Sequence, residues 1–193
     1  MSLAPLTRHP RRTLATLATV LAAVGVTVAS GADFTAASAN PANVFSTGTL
    51  SQFNSAANGA VLTAANLRPG ATPAVGTVDI ANTGSLSGTF TLTRGTPADS
   101  DTTNPLSAKL NVTVTDCGTY AGTTAPDCGD GGDSTVYTGT LAQMGQPGHP
   151  IAALGTFAGG AKHRYRFRVA LDSSAGNVFQ GASSTAAFTW NAA

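Results

Sequence analysis

Glutamate is absent from this chain: all nine acidic residues among its 193 are aspartates. That absence removes whole reaction classes, zinc proteolysis of the H-E-x-x-H type among them, because it needs a Glu base between two imidazoles one helical turn apart. Charge of either sign is scarce, with Asp, Lys and Arg making up 10% of the residues. Helix-favouring Glu, Lys and Leu give way to Thr, Ser, Ala and Gly, a composition suited to short strands joined by small-residue turns. There is no G-x-S-x-G elbow for a serine hydrolase and no G-x-x-x-x-G-K loop for a phosphate. The chain holds one Trp and three Tyr, too few to furnish the aromatic platform of a carbohydrate-binding face.

A long apolar stretch without a charge lies near the start. Arg8, Arg11 and Arg12 precede an apolar run at residues 13–29, and Ser30-Gly31-Ala32 follows with small residues at the −3 and −1 positions. This is the pattern of a secretory signal peptide, with cleavage expected after Ala32. The run is short for a bilayer span and rich in Ala and Thr, so no stable membrane insertion is expected once it is removed. Arg11-Arg12 is a twin-arginine pair, but Thr13 displaces the apolar residue usual after such a pair, and the general secretion route is expected. Loss of the three leader arginines leaves seven basic residues against nine aspartates, a net charge of −2, which gives no electrostatic reason to expect a nucleic-acid or anionic-lipid partner.

Residues 34–43 are small, polar and Pro-interrupted and read as an extended arm, with one domain expected over residues 44–193. Two-residue alternation then marks a series of strands. A short strand is expected at residues 44–50, and residues 61–67 fit either a strand or a single helical turn before Arg68-Pro69-Gly70. Residues 77–81 and 88–94 alternate cleanly around the turn Asn82-Thr83-Gly84-Ser85-Leu86. Leu110, Val112 and Val114 alternate with polar residues up to Cys117, and further strands are expected at 135–140 and 151–157. Tyr165, Phe167, Val169 and Leu171 alternate with Arg164, Arg166, Arg168 and Ala170, and a last run carries Ala186, Phe188 and Trp190. These last two runs are expected to form a terminal strand pair in the sheet interior. About eight strands without a long helix read as an all-β sandwich or barrel.

Cys117 and Cys128 flank a polar loop ten residues long, and in an exported chain that spacing predicts a disulfide. Asp127, Asp130 and Asp133 place three carboxylates in the Gly-rich continuation of the loop, a weak candidate for Ca²⁺ because their spacing is not that of an EF-hand. His149 and His163 have no metal-ligand partner at a recognisable spacing, and read as a loop and a strand-end histidine. The stripe of Lys162, Arg164, Arg166 and Arg168 could meet an acidic ligand, but outward charges also discourage edge pairing, and that reading is preferred. No catalytic residue and no cofactor is expected.

Five motifs in order resemble the TasA/camelysin family: Phe34-Thr35, then Val44-Phe45-Ser46-Thr47-Gly48-Thr49-Leu50, Leu67-Arg68-Pro69-Gly70, Ala81-Asn82-Thr83-Gly84-Ser85-Leu86, and Asn177-Val178-Phe179-Gln180-Gly181 ahead of Phe188-Thr189-Trp190. The resemblance implies a jelly-roll-like antiparallel β-sandwich that is secreted, displayed at the cell surface and polymerised with itself into matrix or biofilm fibres. It also implies contact with other matrix or cell-surface components. In such fibres the N-terminal arm of one subunit completes the sheet of the next, which makes Phe34, Val44 and Phe45 the assembly residues. The Cys117/Cys128 loop and a shorter middle region depart from the longer fibre formers. The family's peptidase label finds no residues here onto which a zinc site could be carried. A structural assembly protein is therefore the first expectation, with a secreted metallopeptidase and a carbohydrate-binding sandwich as alternatives.

Overall fold

Apolar residues at every second position bury one face of a strand, and two such faces must cover each other. The computed structural model describes residues 47–193 and shows that solution. The strands are β1 (Gln52–Asn54), β2 (Ala74–Asn82), β3 (Gly88–Arg94), β4 (Ala98–Asp99), β5 (Leu110–Tyr120), β6 (Ser134–Thr140), β7 (Gly155–Phe157), β8 (Lys162–Leu171), β9 (Ser184–Thr185) and β10 (Phe188–Ala192). Single 3-10 turns occupy Leu106–Ala108 and Asn177–Phe179. All strand pairs are antiparallel. One sheet runs β1-β2-β8-β5-β6, a second runs β10-β3-β7, and β4 pairs with β9 alone.

The core lies between the two larger sheets. Val78, Ile80, Val112, Val114, Tyr165 and Phe167 face it from the five-stranded sheet, and Phe90, Leu92, Phe157 and Trp190 from the three-stranded one. Aromatic rings join the layers. Phe157 lies between Phe90 and His163 with ring centroids 4.2 and 4.0 Å away, while Phe167 meets Phe188 at 4.8 Å and the edge of Trp190 at 6.1 Å. Each such ring buried adds about 1.5–3 kcal/mol of hydrophobic stabilisation. The all-β antiparallel sandwich expected from alternation and composition is thus the fold.

Several boundaries differ from expectation. β3 and β8 begin and end where the alternation does, but the two terminal runs do not pair: β8 lies at the centre of the five-stranded sheet, and β10 is an edge of the other. Alternation reports which face a strand buries and carries no information on its neighbour. For the same reason Asn82–Leu86 is not a hairpin turn within one sheet but the crossing from β2 in one layer to β3 in the other. Of the strand expected at 44–50, Thr47–Leu50 is irregular, and the first strand is Gln52–Asn54. Residues 61–67 are neither strand nor helix: they pass over Gly76, where a Cβ would collide with the Val61 carbonyl. β5 continues past Cys117 to Tyr120 through a register shift, and only Gly155–Phe157 of the 151–157 run is strand. The signal at 1–32, the arm at 33–43 and the assembly residues Phe34, Val44 and Phe45 lie outside the described residues.

Candidate functional site

β8 is flanked by β2 and β5, so its outward residues sit at the middle of an exposed sheet face. Val75 and Thr77 on β2, and Thr113 and Thr115 on β5, lie beside Arg168 and Arg166 respectively. The expectation that the arginines guard an edge is therefore corrected: β8 has a strand on both sides and no edge to guard.

The three arginines have different surroundings. Arg164 donates from Nε to Asp79 Oδ1 at 2.8 Å and from Nη2 to Oδ2 at 3.1 Å. The hydrogen bond from Arg164 outweighs burial and holds the Asp79 carboxyl below its usual range, and the same bond raises the Arg164 guanidinium. Arg166 donates from Nη1 to the Cys128 carbonyl. Arg168 is exposed and makes no hydrogen bond or ion pair among the described residues. Lys162 completes the stripe, donating to the Gly122 carbonyl at 3.2 Å and standing 5.7 Å from the centre of the Tyr120 ring.

The Cys117–Cys128 disulfide is present, with Cα atoms 4.7 Å apart. It ties the loop after β5 back to that strand, and the Arg166 contact holds the same loop against β8. The three loop aspartates do not converge. Among the described residues no group of three or more His, Cys, Asp or Glu side chains is placed to hold a metal ion. Asp130 accepts the Gly132 N–H at 3.2 Å in an ordinary local turn.

On the opposite face of β8, His163 points inward, as its parity predicts. Its ring stacks on Phe157, and Nδ1 lies 2.9 Å from Asp116 Oδ2. Asp116 was not singled out from the sequence, although it continues the inward period of Leu110, Val112 and Val114. Tyr165 is fully buried beside this pair, and burial pushes its hydroxyl well above the usual phenol range. Phe157 and Tyr165 flank the pair, whose side chains stay 14% and 12% exposed, so it is a largely interior polar contact at the rim of the core. His149 lies in the tight turn where it bridges to Gln146.

A second kind of site is the edge of the smaller sheet. Thr89 and Ala193 exchange two backbone hydrogen bonds, at 2.8 and 3.0 Å. Antiparallel pairs alternate, so the N–H and C=O groups of Phe188, Trp190 and Ala192 point away from β3. Among the described residues one of these groups has a partner: the Trp190 carbonyl accepts from Gln52 Nε2 at 3.3 Å. Beside this edge, Leu50 lies over Gly88 and near the Ala193 carbonyl, and Leu50 and Leu86 are 38% and 50% exposed. Gly84 is required there, because a Cβ would strike the backbone of Thr49 and Ser51. At the far end of the sandwich, an open cleft of about 690 Å³ runs between residues 64–69 and 175–184, with Leu106 and Leu171 in its wall and Arg68 as its charged residue.

Fold and site together define, among the described residues, a disulfide-stapled antiparallel β-sandwich with an open sheet edge along β10 and an arginine-bearing outer face. No protein-family model and no curated protein matches the chain.

Proposed function

We propose that the protein is a secreted structural subunit that assembles with itself at the cell surface or in the extracellular matrix, by donation of the arm at residues 33–43 to β10 of a neighbouring copy. The observation that carries this reading is the outward row of backbone groups on β10, a template that an extended segment satisfies by adding a strand. The other edges are poorer templates. β1 and β7 are three residues each, and β6 carries a register shift against β5 and gives its Val136 carbonyl to Ala152.

Length agrees with this role. An arm of eleven residues reaches up to roughly 36 Å when extended, and the five residues of β10 span about 17 Å. Phe34 serves as the apolar anchor, Val44 and Phe45 form the root of the arm, and the small residues between let it lie flat. Thr49 and Ser51 bond the turn before β3, beside the Ala193 end of the β10 edge. A head-to-tail contact of this kind does not close on itself and so propagates into a filament. The disulfide accords with an oxidising, extracytoplasmic compartment, and no helix among the described residues is long and apolar enough to cross a membrane.

Deletion of residues 33–43 tests the reading. The truncated chain is expected to remain a folded β monomer by circular dichroism and sedimentation, and to form no filaments in electron micrographs after concentration. A peptide of the arm is expected to cap growing ends of the intact protein. Filaments of unchanged form from the truncated chain would remove strand donation.

A further inference from the structure

A groove of about 260 Å³ crosses the outer face of the five-stranded sheet. Arg166 and Arg168 on β8 form one wall, Thr113 and Thr115 on β5 the other, with Pro73 and Ala170 at its margins. We propose that this groove binds the acidic sugar units of an anionic polysaccharide, the two guanidiniums taking a carboxylate or sulfate and the half-buried Thr113 taking a sugar hydroxyl, while the buried Thr115 only closes the wall. The site is separate from β10 and does not depend on strand donation.

Position is the first argument. A central strand needs no charge to protect it, and half-buried outward positions are ordinarily taken by β-branched or small polar residues, as on β2 and β5 here. Two arginines two residues apart stand about 7 Å from each other along one strand face, in a chain where charged residues are only 10% of the total. Their availability is the second. Arg164 is matched by Asp79, but among the described residues Arg166 and Arg168 have no carboxylate partner. Of the five N–H donors of each guanidinium, Arg166 uses Nη1 on Cys128 and holds Nε buried, which leaves its remaining Nη donors, and Arg168 uses none. No acidic residue lines the groove. The acid nearest to it through hydrogen bonds, Asp172, is occupied by Ser174 and by Asn111.

Chemistry selects the ligand class. No aromatic ring lines the groove, which argues against a neutral sugar held by stacking. The guanidinium fork matches a planar carboxylate or a sulfate and releases it at high salt. With a processed net charge of −2, the protein lacks the broad positive field that double-stranded nucleic acid demands. A shallow groove of this volume accepts one charged unit at a time while the rest of the chain lies along the sheet face, which suits a repeating polymer more than a buried small molecule.

The test is affinity electrophoresis of the exported protein through gels containing polygalacturonate, dextran sulfate, neutral dextran or poly-aspartate. Retardation is expected with polygalacturonate or dextran sulfate, the two identifying carboxylate or sulfate as the preferred group, and is expected to fade with added salt. Arg168→Gln, at an exposed position that should not disturb folding, is expected to weaken binding about tenfold or more. Arg68→Gln, which removes an equal charge from the wall of the separate cleft beside Leu171 and not from the groove, is expected to change it less than twofold. Equal losses in the two variants, equal retardation by poly-aspartate, or no retardation by either acidic polysaccharide would each overturn the proposal.

Discussion

Asp79 on β2 and Arg164 on β8 form a two-pronged ion pair across the strand ladder, at register positions directly opposite each other. It is one of several places where a carboxyl is held below its ordinary range. Asp99 is another: burial works against its charge, but the Ser107 hydroxyl and N–H, at 2.6 and 2.8 Å, prevail. The hydrogen bond from Ser174 draws Asp172 down to about 2. A carboxyl depressed in the folded state adds stability that is fully present above its unfolded value, near 3.8 here, and is lost as pH falls through the folded value.

The first prediction is therefore an acid limb. Melting temperature is expected to hold steady from neutral pH down to about 5 as far as these carboxyls decide it, and to fall progressively below about 4. Asp79→Asn and Asp99→Asn should each lower stability at pH 7 and flatten that limb. A pair of variants with melting curves parallel to the parent from pH 7 to pH 2.5 would show that these contacts do not set it.

The disulfide spans eleven residues and anchors a loop lying outside the core. Closing a loop of that length is worth about 2–3 kcal/mol in the chain-entropy model. The Cys117→Ser, Cys128→Ser double variant is expected to lose that much by urea unfolding while its far-UV spectrum stays that of a β protein, since both sheets are held by contacts that exclude the loop. Mass spectrometry of non-reduced exported material should find no free thiol. Collapse of the spectrum in the double variant would make the bond a requirement of the fold.

Asn82 gives the third prediction. It is fully buried, donates from Nδ2 to the Leu86 carbonyl at 2.7 Å and the Phe157 carbonyl at 3.0 Å, and accepts the Gly84 N–H at 3.0 Å. One side chain thus satisfies three backbone groups where the chain crosses between sheets and where β7 passes. Removing it leaves those groups without partners in a dry site, each at about 1–3 kcal/mol. Asn82→Ala is expected to destabilise by about 3 kcal/mol in denaturant titrations, well beyond a typical surface change. A loss under 1 kcal/mol would mean that water replaces the amide.

What could be read from the residues, and what could not, follows a physical division. Alternation at Phe90 and Leu92, or at Tyr165 and Phe167, depends on neighbours in sequence, and those strands stand where expected. The pairing of β10 with β3, and of β8 with β2 and β5, depends on residues far apart, and a two-residue period is the same whichever strand lies alongside. Asn82 read as a turn residue because Asn-Thr-Gly is turn chemistry. Its burial comes from Phe157, 75 positions later. The His163–Asp116 contact was half legible: each residue sits at inward parity on its own strand, but only the β5–β8 register brings them together. The arginine stripe was visible as a stripe, and its meaning changed once β8 proved central.

The last prediction concerns β10 as an acceptor, from the side of the acceptor itself. Ala192 lies opposite Phe90 in a pair that exchanges no backbone hydrogen bonds, so its N–H points out from the edge. Proline there removes an outward donor and none of the bonds to β3, and the preceding Asn191 is already in a strand, the conformation proline favours before it. Ala192→Pro is expected to leave the monomer folded, with a melting temperature within a few degrees of the parent. It should slow or abolish filament growth, measured by light scattering and electron microscopy after concentration. Thr189→Pro is the contrasting change. Its N–H faces β3, where the alternation places a ladder bond to Thr93, so that variant should destabilise the fold itself. If Ala192→Pro elongates as fast as the parent while remaining folded, the arm adds elsewhere and β10 is not the acceptor.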